Sequence, residues 1–246
     1  MSNTTSTYPN DEWSLGINII ADICLNAPPG STIVEFGSGE SSRCLVEMGY
    51  EVYSIEENED FTNRHPGVNY IFAPIDPETG WYQTEHVLPQ LPEDIHVLVI
   101  DGPASGDRTQ FVSLWGKILE RDGGLRRPAL YIDDVQRQDG STTVLGLLTS
   151  SPWWLSFYEV SIISTGQLLV PSGEAPYEGL AARFTPSDSR GSGQAILPSI
   201  ANQKSYRDLV FAKEHTITRR TRQGTSGYSI QVVPSVSLEN SGNDNA

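Results

Sequence analysis

The stretch Ser31–Glu57 reads STIVEFGSGESSRCLVEMGYEVYSIEE and decides the fold of this chain. A short apolar run is followed by a glycine turn, an apolar-periodic segment and an alternating run that ends in two acids. The pattern predicts a strand through Ile33–Phe36, a helix over Ser41–Met48 and a second strand over Glu51–Ile55. A strand, a turn, a helix and a second strand in this order form the βαβ unit that opens nucleotide-binding α/β domains.

The glycine turn has the chemistry of a ligand site. Gly37 and Gly39 let the backbone approach a ligand closely, and the following helix offers unpaired N–H groups at its N-terminus. Glu56, at the end of the second strand, can accept hydrogen bonds from ribose hydroxyls. A dinucleotide fingerprint requires a third glycine where this chain has Ser42, so the motif departs from that of an NAD-binding protein.

An acid also precedes the turn, because Glu35 stands two residues before Gly37. The string Glu-x-Gly-x-Gly-x-Ser resembles motif I of class I S-adenosylmethionine-dependent methyltransferases, and VEFGSGESSRCL with YEVYSIEENEDF resembles the opening of bacterial members. The resemblance implies an enzyme that binds S-adenosylmethionine, with Glu56 on the ribose and Glu57 as the alternate. The residues that it places around the methionine part of the cofactor are Glu35, Gly37, Ser38, Gly39 and Ser41.

The rest of the chain continues the alternation of strands and helices. Strands are predicted at Val68–Phe72, Ile95–Ile100, Ala129–Ile132, Leu155–Ile163 and Gly179–Phe184. Helices are predicted at Asp11–Asn26, Thr109–Glu120 and Ser141–Ser150. The predicted fold is therefore α/β, an open, doubly wound, mostly parallel sheet with helices on both faces, and the resemblance implies the seven strands of the Rossmann-like methyltransferase fold.

Three regions differ in composition. Residues 1–10 form a polar leader, residues 11–185 the predicted methyltransferase domain, and residues 186–246 a polar extension that we expect to be partly disordered. Within the extension the sequence predicts a short helix at Ser205–Lys213 and a strand at Tyr228–Val233.

Carboxylates follow two neighbouring strands. Asp101 comes directly after Ile95–Ile100, and Asp133 and Asp134 come directly after Ala129–Ile132. The carboxyl ends of parallel strands meet at one edge of the sheet, so these side chains should converge there. Three carboxylates can hold Mg²⁺, and the arrangement resembles metal-dependent O-methyltransferases, in which the cation binds the acceptor and lowers the pKa of its hydroxyl.

Two other interpretations remain open. The strings Asp101-Gly102-Pro103 with Arg108, and Asp133-Asp134-x-x-Arg137, also resemble bacterial methyltransferases for which no metal is established. There Asp101 would act as the general base, and Arg108 or Arg137 would hold an anionic acceptor. Alternatively, Asp133 or Asp134 simply caps a turn or the next helix. On the catalytic interpretations, Asp101, Asp134 and Arg137 carry the chemistry.

The charge of the chain limits the kinds of ligand and partner that we expect it to bind. The net charge is −15, with −17 on residues 1–185 and +2 on residues 186–246, and an acidic body repels nucleic acid and anionic membranes. The acceptor is therefore expected to be a small molecule, and its hydroxyl oxygen is the expected target. The sequence leaves a homo-oligomer open. The rival functions are an NAD-dependent oxidoreductase and a non-catalytic binding protein with a methyltransferase fold.

The two cysteines and the polar first residues indicate the cellular compartment that we expect. Cys24 and Cys44 fall at apolar positions of predicted helices, so they are expected to be buried, reduced thiols. The first 13 residues are polar and do not resemble a signal peptide, and no apolar run is long enough to span a bilayer. A cytoplasmic protein is the expectation.

Overall fold

A computed structural model of the chain describes residues 2–9, 15–121, 127–150, 158–168, 177–186, 214–222 and 225–232. The strands are β1 (Ser2–Pro9), β2 (Thr32–Phe36), β3 (Glu51–Glu56), β4 (Val68–Phe72), β5 (Val97–Ile100), β6 (Ala129–Ile132), β7 (Tyr158–Leu168), β8 (Tyr177–Pro186), β9 (Glu214–Arg222) and β10 (Thr225–Val232). The α-helices are α1 (Ile17–Asn26), α2 (Glu40–Glu47), α3 (Thr84–Val87), α4 (Phe111–Glu120) and α5 (Gln138–Ser150). Short 3₁₀ helices lie at Glu59–Phe61, Leu88–Gln90 and Arg108–Gln110.

The main sheet has seven strands in the order β4-β3-β2-β5-β6-β8-β7. The first five are parallel to one another, and β8 is antiparallel to both β6 and β7. This is the order of a doubly wound sheet in which one antiparallel strand, β8, lies between β6 and the edge strand β7. The predicted open, mostly parallel sheet of seven strands is confirmed, and it has the Rossmann-like methyltransferase fold.

The strand order reverses between β2 and β5, which pair in parallel with Phe36 opposite Ile100. In sheets of this kind, ligands bind in the crevice outside the carboxyl ends of the strands at such a switch point. The glycine turn after β2 and Asp101 after β5 therefore lie side by side at the position that the topology reserves for a ligand.

Apolar side chains fill both faces of the sheet. One core cluster joins Val34 and Phe36 of β2 with residues of α4, and a second joins Ile33 of β2 with residues of α1 and α2. Every residue of β2 is buried, which is expected of a strand covered by helices on both faces. Cys24 and Cys44 are buried free thiols in the second cluster, as predicted.

Several boundaries differ from those predicted. The first helix begins at Ile17 with Gly16 at its N-cap, not at Asp11, because Leu15 and Gly16 are not helical. The predicted caps of that helix at residues 11 and 14 lie outside the described residues, as does the predicted helix over residues 205–213. Among the described helices, none is both long and apolar enough to cross a bilayer.

A second sheet joins the two ends of the chain. β1 pairs antiparallel with β9, and β9 pairs antiparallel with β10, so that Thr4, Arg219 and Tyr228 stand in register. β1 contacts α2, and β10 contacts α1. The polar leader thus contributes a strand, and the strand predicted at Tyr228–Val233 overlaps β10, which ends at Val232.

Candidate active site

A cavity of about 650 Å³ opens at the carboxyl ends of the parallel strands. Its lining comes from residues 37–40 after β2, from the 56–64 segment after β3, from the 101–108 segment after β5 and from the 133–137 segment after β6. The volume falls in the range of sites for small molecules and cofactors. Four strand ends therefore build one site.

The glycine turn forms the floor of this cavity next to Gly102. Gly37 has φ +91°, and a Cβ on it would lie 2.8 Å from the Gly102 nitrogen, so this position requires glycine for both its conformation and its space. The Gly37 N–H donates to the Ile55 carbonyl at 2.9 Å, which fixes the turn to the neighbouring strand. Gly39 and Glu40 also line the cavity, so the N-terminus of α2 borders it.

Glu56 organises the turn from the end of β3. Its Oε2 accepts hydrogen bonds from the Ser38 N–H at 3.0 Å and from the Ser38 hydroxyl at 2.6 Å, and its Oε1 accepts from the Asn58 N–H at 2.8 Å. Glu56 is 5% exposed, yet it lines the cavity. The carboxylate is thus held in one orientation by three donors while it borders the space where a ligand would lie.

Glu57, the alternate to Glu56, also lines the cavity. Its Oε2 accepts from the Tyr82 hydroxyl at 2.9 Å, and its Oε1 accepts from the Ala104 N–H at 3.3 Å. These two contacts tie the loop after β5 to the end of β3. Glu57 therefore stabilises the loop after β5. Its predicted hydrogen bonds to the ribose hydroxyls stay a prediction.

Glu35 and Ser41, which the resemblance places around the cofactor, do not line the cavity. Glu35 is fully buried on β2, where its two carboxyl oxygens accept hydrogen bonds from the hydroxyls of Ser41 and Ser42 on α2. Burial raises the pKa of the Glu35 carboxyl to about 8, against the lowering effect of the two serines. The acid before the glycine turn thus fastens α2 to the sheet and does not border the cavity, so its contact with the methionine part of a cofactor stays a prediction.

The structure brings Asp101 and Asp133 together. Ile100 and Ile132 are paired in parallel, so the two acids that follow them occupy equivalent positions on adjacent strands. Burial raises the pKa of Asp101 to about 6, with Arg108 opposing and Asp134 reinforcing the rise. Burial and the neighbouring Asp101 hold the pKa of Asp133 well above its usual range. No described side chain donates a hydrogen bond or forms an ion pair with the Asp101 carboxyl.

Arg108 lies beneath these strand ends and is 2% exposed. Its guanidinium donates to the backbone carbonyl of Asp101 and to that of Asp133, the latter at 3.2 Å. Its Nη2 lies 3.7 Å from Asp134 Oδ2, and its Nε lies 3.9 Å from Asp139 Oδ2. Arg108 therefore joins the ends of β5 and β6, and it is poorly placed for the predicted role of holding an anionic acceptor.

Asp134 and Arg137 form the outer wall of the same end. Asp134 Oδ2 lies 3.3 Å from Arg137 Nη1, and its Oδ1 accepts from the Gln136 side-chain amide at 3.0 Å. The Asp134 N–H donates to Asp133 Oδ1 at 2.8 Å, and Asp134 has φ +57°. The pair is thus part of a turn, which is the structural interpretation that the sequence left open.

The predicted magnesium site does not fit this arrangement. Within the described parts of the chain, no group of three or more His, Cys, Asp or Glu side chains is arranged to hold a metal ion. The Asp134 carboxylate faces two guanidinium groups, which would repel a dication, and Asp133 Oδ1 already accepts a backbone N–H. Asp101, Asp133 and Asp134 therefore do not form a metal centre here, and we assign no chemistry to Mg²⁺.

Sequence reasoning missed the wall opposite the carboxylates. Phe61 and Arg64 line the cavity, with the Arg64 guanidinium 5.3 Å from the centre of the Phe61 ring. Phe61 is 39% exposed, so much of its ring remains accessible. An aromatic residue followed three positions later by arginine, just after the acid that ends β3, is a sequence signal that could have pointed to this wall.

No protein-family model matches the chain, and no curated protein matches it by sequence. Solved structures match it in fold. A precorrin-6Y C5,15-methyltransferase from Geobacter metallireducens shares 12% identity, with 69% of this chain and 88% of that one covered and a TM-score of 0.44. A TehB-like SAM-dependent methyltransferase from Corynebacterium glutamicum shares 16% identity, with 70% and 88% covered and a TM-score of 0.45.

A third structure is magnesium protoporphyrin IX methyltransferase from Synechocystis PCC 6803 with bound SAM. It shares 11% identity, 70% of this chain and 77% of that one are covered, and the TM-score is 0.44. These similarities concern the fold.

Proposed function

We propose that this protein transfers the methyl group of S-adenosylmethionine to a hydroxyl oxygen of a small molecule. The observation that carries the proposal is the cavity at the topological switch point, where the Gly37–Gly39 turn and the Glu56 carboxylate lie opposite the Asp101 carboxyl, which accepts no hydrogen bond from a described side chain. The first two are groups that bind an adenosyl cofactor, and the third is a group that can take a proton. A donor site and a base in one cavity are what a methyl transfer to oxygen requires.

The residues present fit the cofactor. Glu56 has one oxygen that accepts a single N–H, so it can accept a further hydrogen bond from a ribose hydroxyl. The exposed face of Phe61 offers a flat apolar surface for the adenine ring, and Gly37 and Gly39 leave room for the methionine part. S-adenosylmethionine, when bound, supplies a methyl group on a positively charged sulfur that becomes a neutral thioether once the acceptor oxygen takes the methyl.

The part of the cavity formed by Asp101, Asp133, Asp134, Arg108 and Arg137 is called the acceptor end here. A side chain of this part accepts the proton that methyl transfer releases. The Asp101 carboxyl has a pKa of about 6, so it is mostly ionised at neutral pH and is a stronger base than an ordinary aspartate. It accepts the proton that the acceptor hydroxyl loses. Arg108 holds the strand ends that carry Asp101 and Asp133, and it thereby fixes the direction in which the base points.

Calorimetry with three ligands tests the donor half of the proposal. Purified protein is titrated with S-adenosylmethionine, S-adenosylhomocysteine and NAD. We expect micromolar binding of both adenosyl ligands and weaker or no binding of NAD. No binding of either adenosyl ligand at high micromolar concentration would falsify the proposal, and binding of NAD alone would favour an oxidoreductase.

An Asp101→Asn variant tests the acceptor half once a screen of small hydroxyl compounds has given turnover. Loss of a general base predicts a fall in kcat of about 10² to 10⁴-fold with an unchanged dissociation constant for S-adenosylhomocysteine. Glu93→Gln is the matched control, because it removes a charge from an exposed position before β5, at the opposite edge of the sheet. Turnover should also be the same with EDTA as with added Mg²⁺; loss of turnover in EDTA would restore the magnesium hypothesis.

A further inference from the structure

One arginine that lines the cavity does not belong to the acceptor end. Arg108 and Arg137 both face the Asp134 carboxylate, with nitrogens 3.7 Å and 3.3 Å from its Oδ2. Arg64 lies on the wall formed with Phe61, and its guanidinium is 5.3 Å from the centre of the Phe61 ring. Among the described residues, this aromatic ring is the only group that the Arg64 guanidinium contacts. A ligand that binds Arg64 therefore has no ion pair to displace.

The backbone fixes the Phe61 ring close to the acid at the end of β3. The Asn58 N–H donates to Glu56 Oε1 at 2.8 Å, and the Asn58 carbonyl accepts the Phe61 N–H at 3.0 Å. Asn63 then adopts the left-handed conformation, with φ +63°, and this turn precedes the residue whose guanidinium lies over the ring. One short turn thus connects the acid that we propose for the ribose to the aromatic ring and to Arg64.

A flat ligand can lie between these two side chains. Arginine stacks on aromatic faces, and nucleobases stack on aromatic rings and on guanidinium planes alike. Phe61 and Arg64 are both exposed, so neither surface is covered by another part of the described chain. An intercalated ring needs two contacts of about 3.5 Å, or about 7 Å in all. Starting from 5.3 Å, the Arg64 guanidinium reaches this separation by a movement of about 2 Å.

We infer that Arg64 closes over the adenine ring of the cofactor, so that adenine lies between the Phe61 ring and the Arg64 guanidinium. The inference rests on the function proposed above, which places adenine on Phe61, and it adds a residue that selects a flat heterocycle. A site for an anionic group is the less favourable alternative. The carboxylates of Glu40, Glu56 and Glu57 line the same cavity and would repel an anion.

Two ligands and three variants test this role by calorimetry. S-adenosylhomocysteine and 5′-methylthioadenosine share adenosine and a neutral sulfur, but only the former has an amino-acid part. We expect Arg64→Ala to bind both about five- to tenfold more weakly than the wild type. Arg64→Lys keeps the charge but lacks the planar guanidinium, so it should bind both almost as weakly as Arg64→Ala. Lys117→Ala removes an exposed positive charge outside the cavity lining and should bind both like the wild type.

A side-chain resonance gives a readout that a merely structural role of Arg64 would not change. The Nε–H signal of Arg64 is followed in ¹⁵N-labelled protein and is identified by its loss in Arg64→Lys. It should shift when 5′-methylthioadenosine is added, because a ring stacked on the guanidinium changes the local ring current. Homocysteine, which has no adenine, should leave the signal in place.

The outcomes separate this inference from the proposed function. S-adenosylhomocysteine that binds Arg64→Ala as tightly as the wild type would overturn the inference and leave the function standing. An effect of Arg64→Ala on S-adenosylhomocysteine but not on 5′-methylthioadenosine would place Arg64 at the methionine part, and it too would overturn the inference. If only 5′-methylthioadenosine binds, and its binding depends on Arg64, the inference stands and the function falls. Binding of neither ligand removes both.

Discussion

Replacing Glu35 with glutamine should change how the stability of this protein depends on pH. Glu35 is fully buried, and its carboxyl group accepts hydrogen bonds from the hydroxyls of Ser41 and Ser42, with the Ser54 hydroxyl also near enough to lower its pKa. Burial raises its pKa from 4.5 to about 8. Glutamine has nearly the same shape and can hydrogen-bond to both serines, but it cannot ionise.

The sign follows from the direction of the shift. The folded protein holds the Glu35 proton more tightly than the unfolded chain does, so the stability that this group contributes is complete below about pH 4.5 and is lost as the pH rises toward about 8. With these two pKa values, the loss between pH 5 and pH 7 is about 2–3 kcal/mol. Glu35→Gln should remove this part of the pH dependence.

Urea unfolding at pH 5, 6 and 7 measures the effect. Other buried carboxyls such as Asp101 and Asp133 add slopes of the same sign, so the informative quantity is the difference between the wild-type and variant slopes. We expect the free energy of unfolding of Glu35→Gln to fall less than that of the wild type by about 2 kcal/mol over this range. Glu93→Gln should retain the wild-type slope. Equal slopes for Glu35→Gln and the wild type would refute the buried, protonated state of Glu35.

Two further predictions concern the cavity floor and the cofactor. Gly102→Ala should lower the free energy of unfolding by about 1–3 kcal/mol in a urea titration, because its Cβ would collide with the Tyr82 hydroxyl. Gly116→Ala in α4 has open space around the new methyl and should raise stability by up to about 1 kcal/mol, so equal effects of the two would exclude the steric explanation. Glu56→Gln should weaken S-adenosylhomocysteine binding about tenfold in calorimetry, since it removes a charged acceptor; an unchanged dissociation constant would show that Glu56 does not face the cofactor.

The parts of the fold that the sequence predicted are those with local causes. The βαβ unit follows from an apolar run, a glycine turn and a helical period that lie within Ser31–Glu57. The meeting of Asp101 and Asp133 was also predictable, because a residue that directly follows a buried parallel strand must lie at the carboxyl edge of the sheet. Neither inference needs knowledge of which distant side chains make contact.

The roles that the sequence could not define, those of Glu35 and Arg108, depend on such contacts. Glu35 lies in a strand that is buried on both faces, so the sequence cannot say whether an acid there faces a cavity or a helix. Its two partners, Ser41 and Ser42, follow on the next element, and serines at the start of a helix are more often read as caps. Arg108 was open to interpretation as an anion site, because its burial and its two backbone acceptors are properties of the folded chain alone.

In the second sheet only β10 had a local sequence signal, and β1 and β9 had none. β1 and β9 are paired although more than 200 residues separate Ser2 from Thr221, and each segment is polar when taken by itself. A strand is recognised in a sequence by the apolar residues of its buried face. Short polar strands at the two ends of a chain lack this pattern. The pairing of leader and extension could therefore be found only in the structure.

Glu35 and Asp101 together show why a perturbed pKa does not identify a functional acid. Both carboxyls have pKa values raised mainly by burial, and both lie near the glycine turn. Glu35 does not line the cavity, and it accepts hydrogen bonds from two serine hydroxyls of α2. These hydrogen bonds offset the free-energy cost of its burial and fasten α2 to the sheet. Asp101 lines the cavity and has no such donor, so only the nearby charges of Arg108 and Arg137 offset the cost of its burial. Geometry, rather than the size of the pKa shift, is the reason why we propose Asp101 as the base.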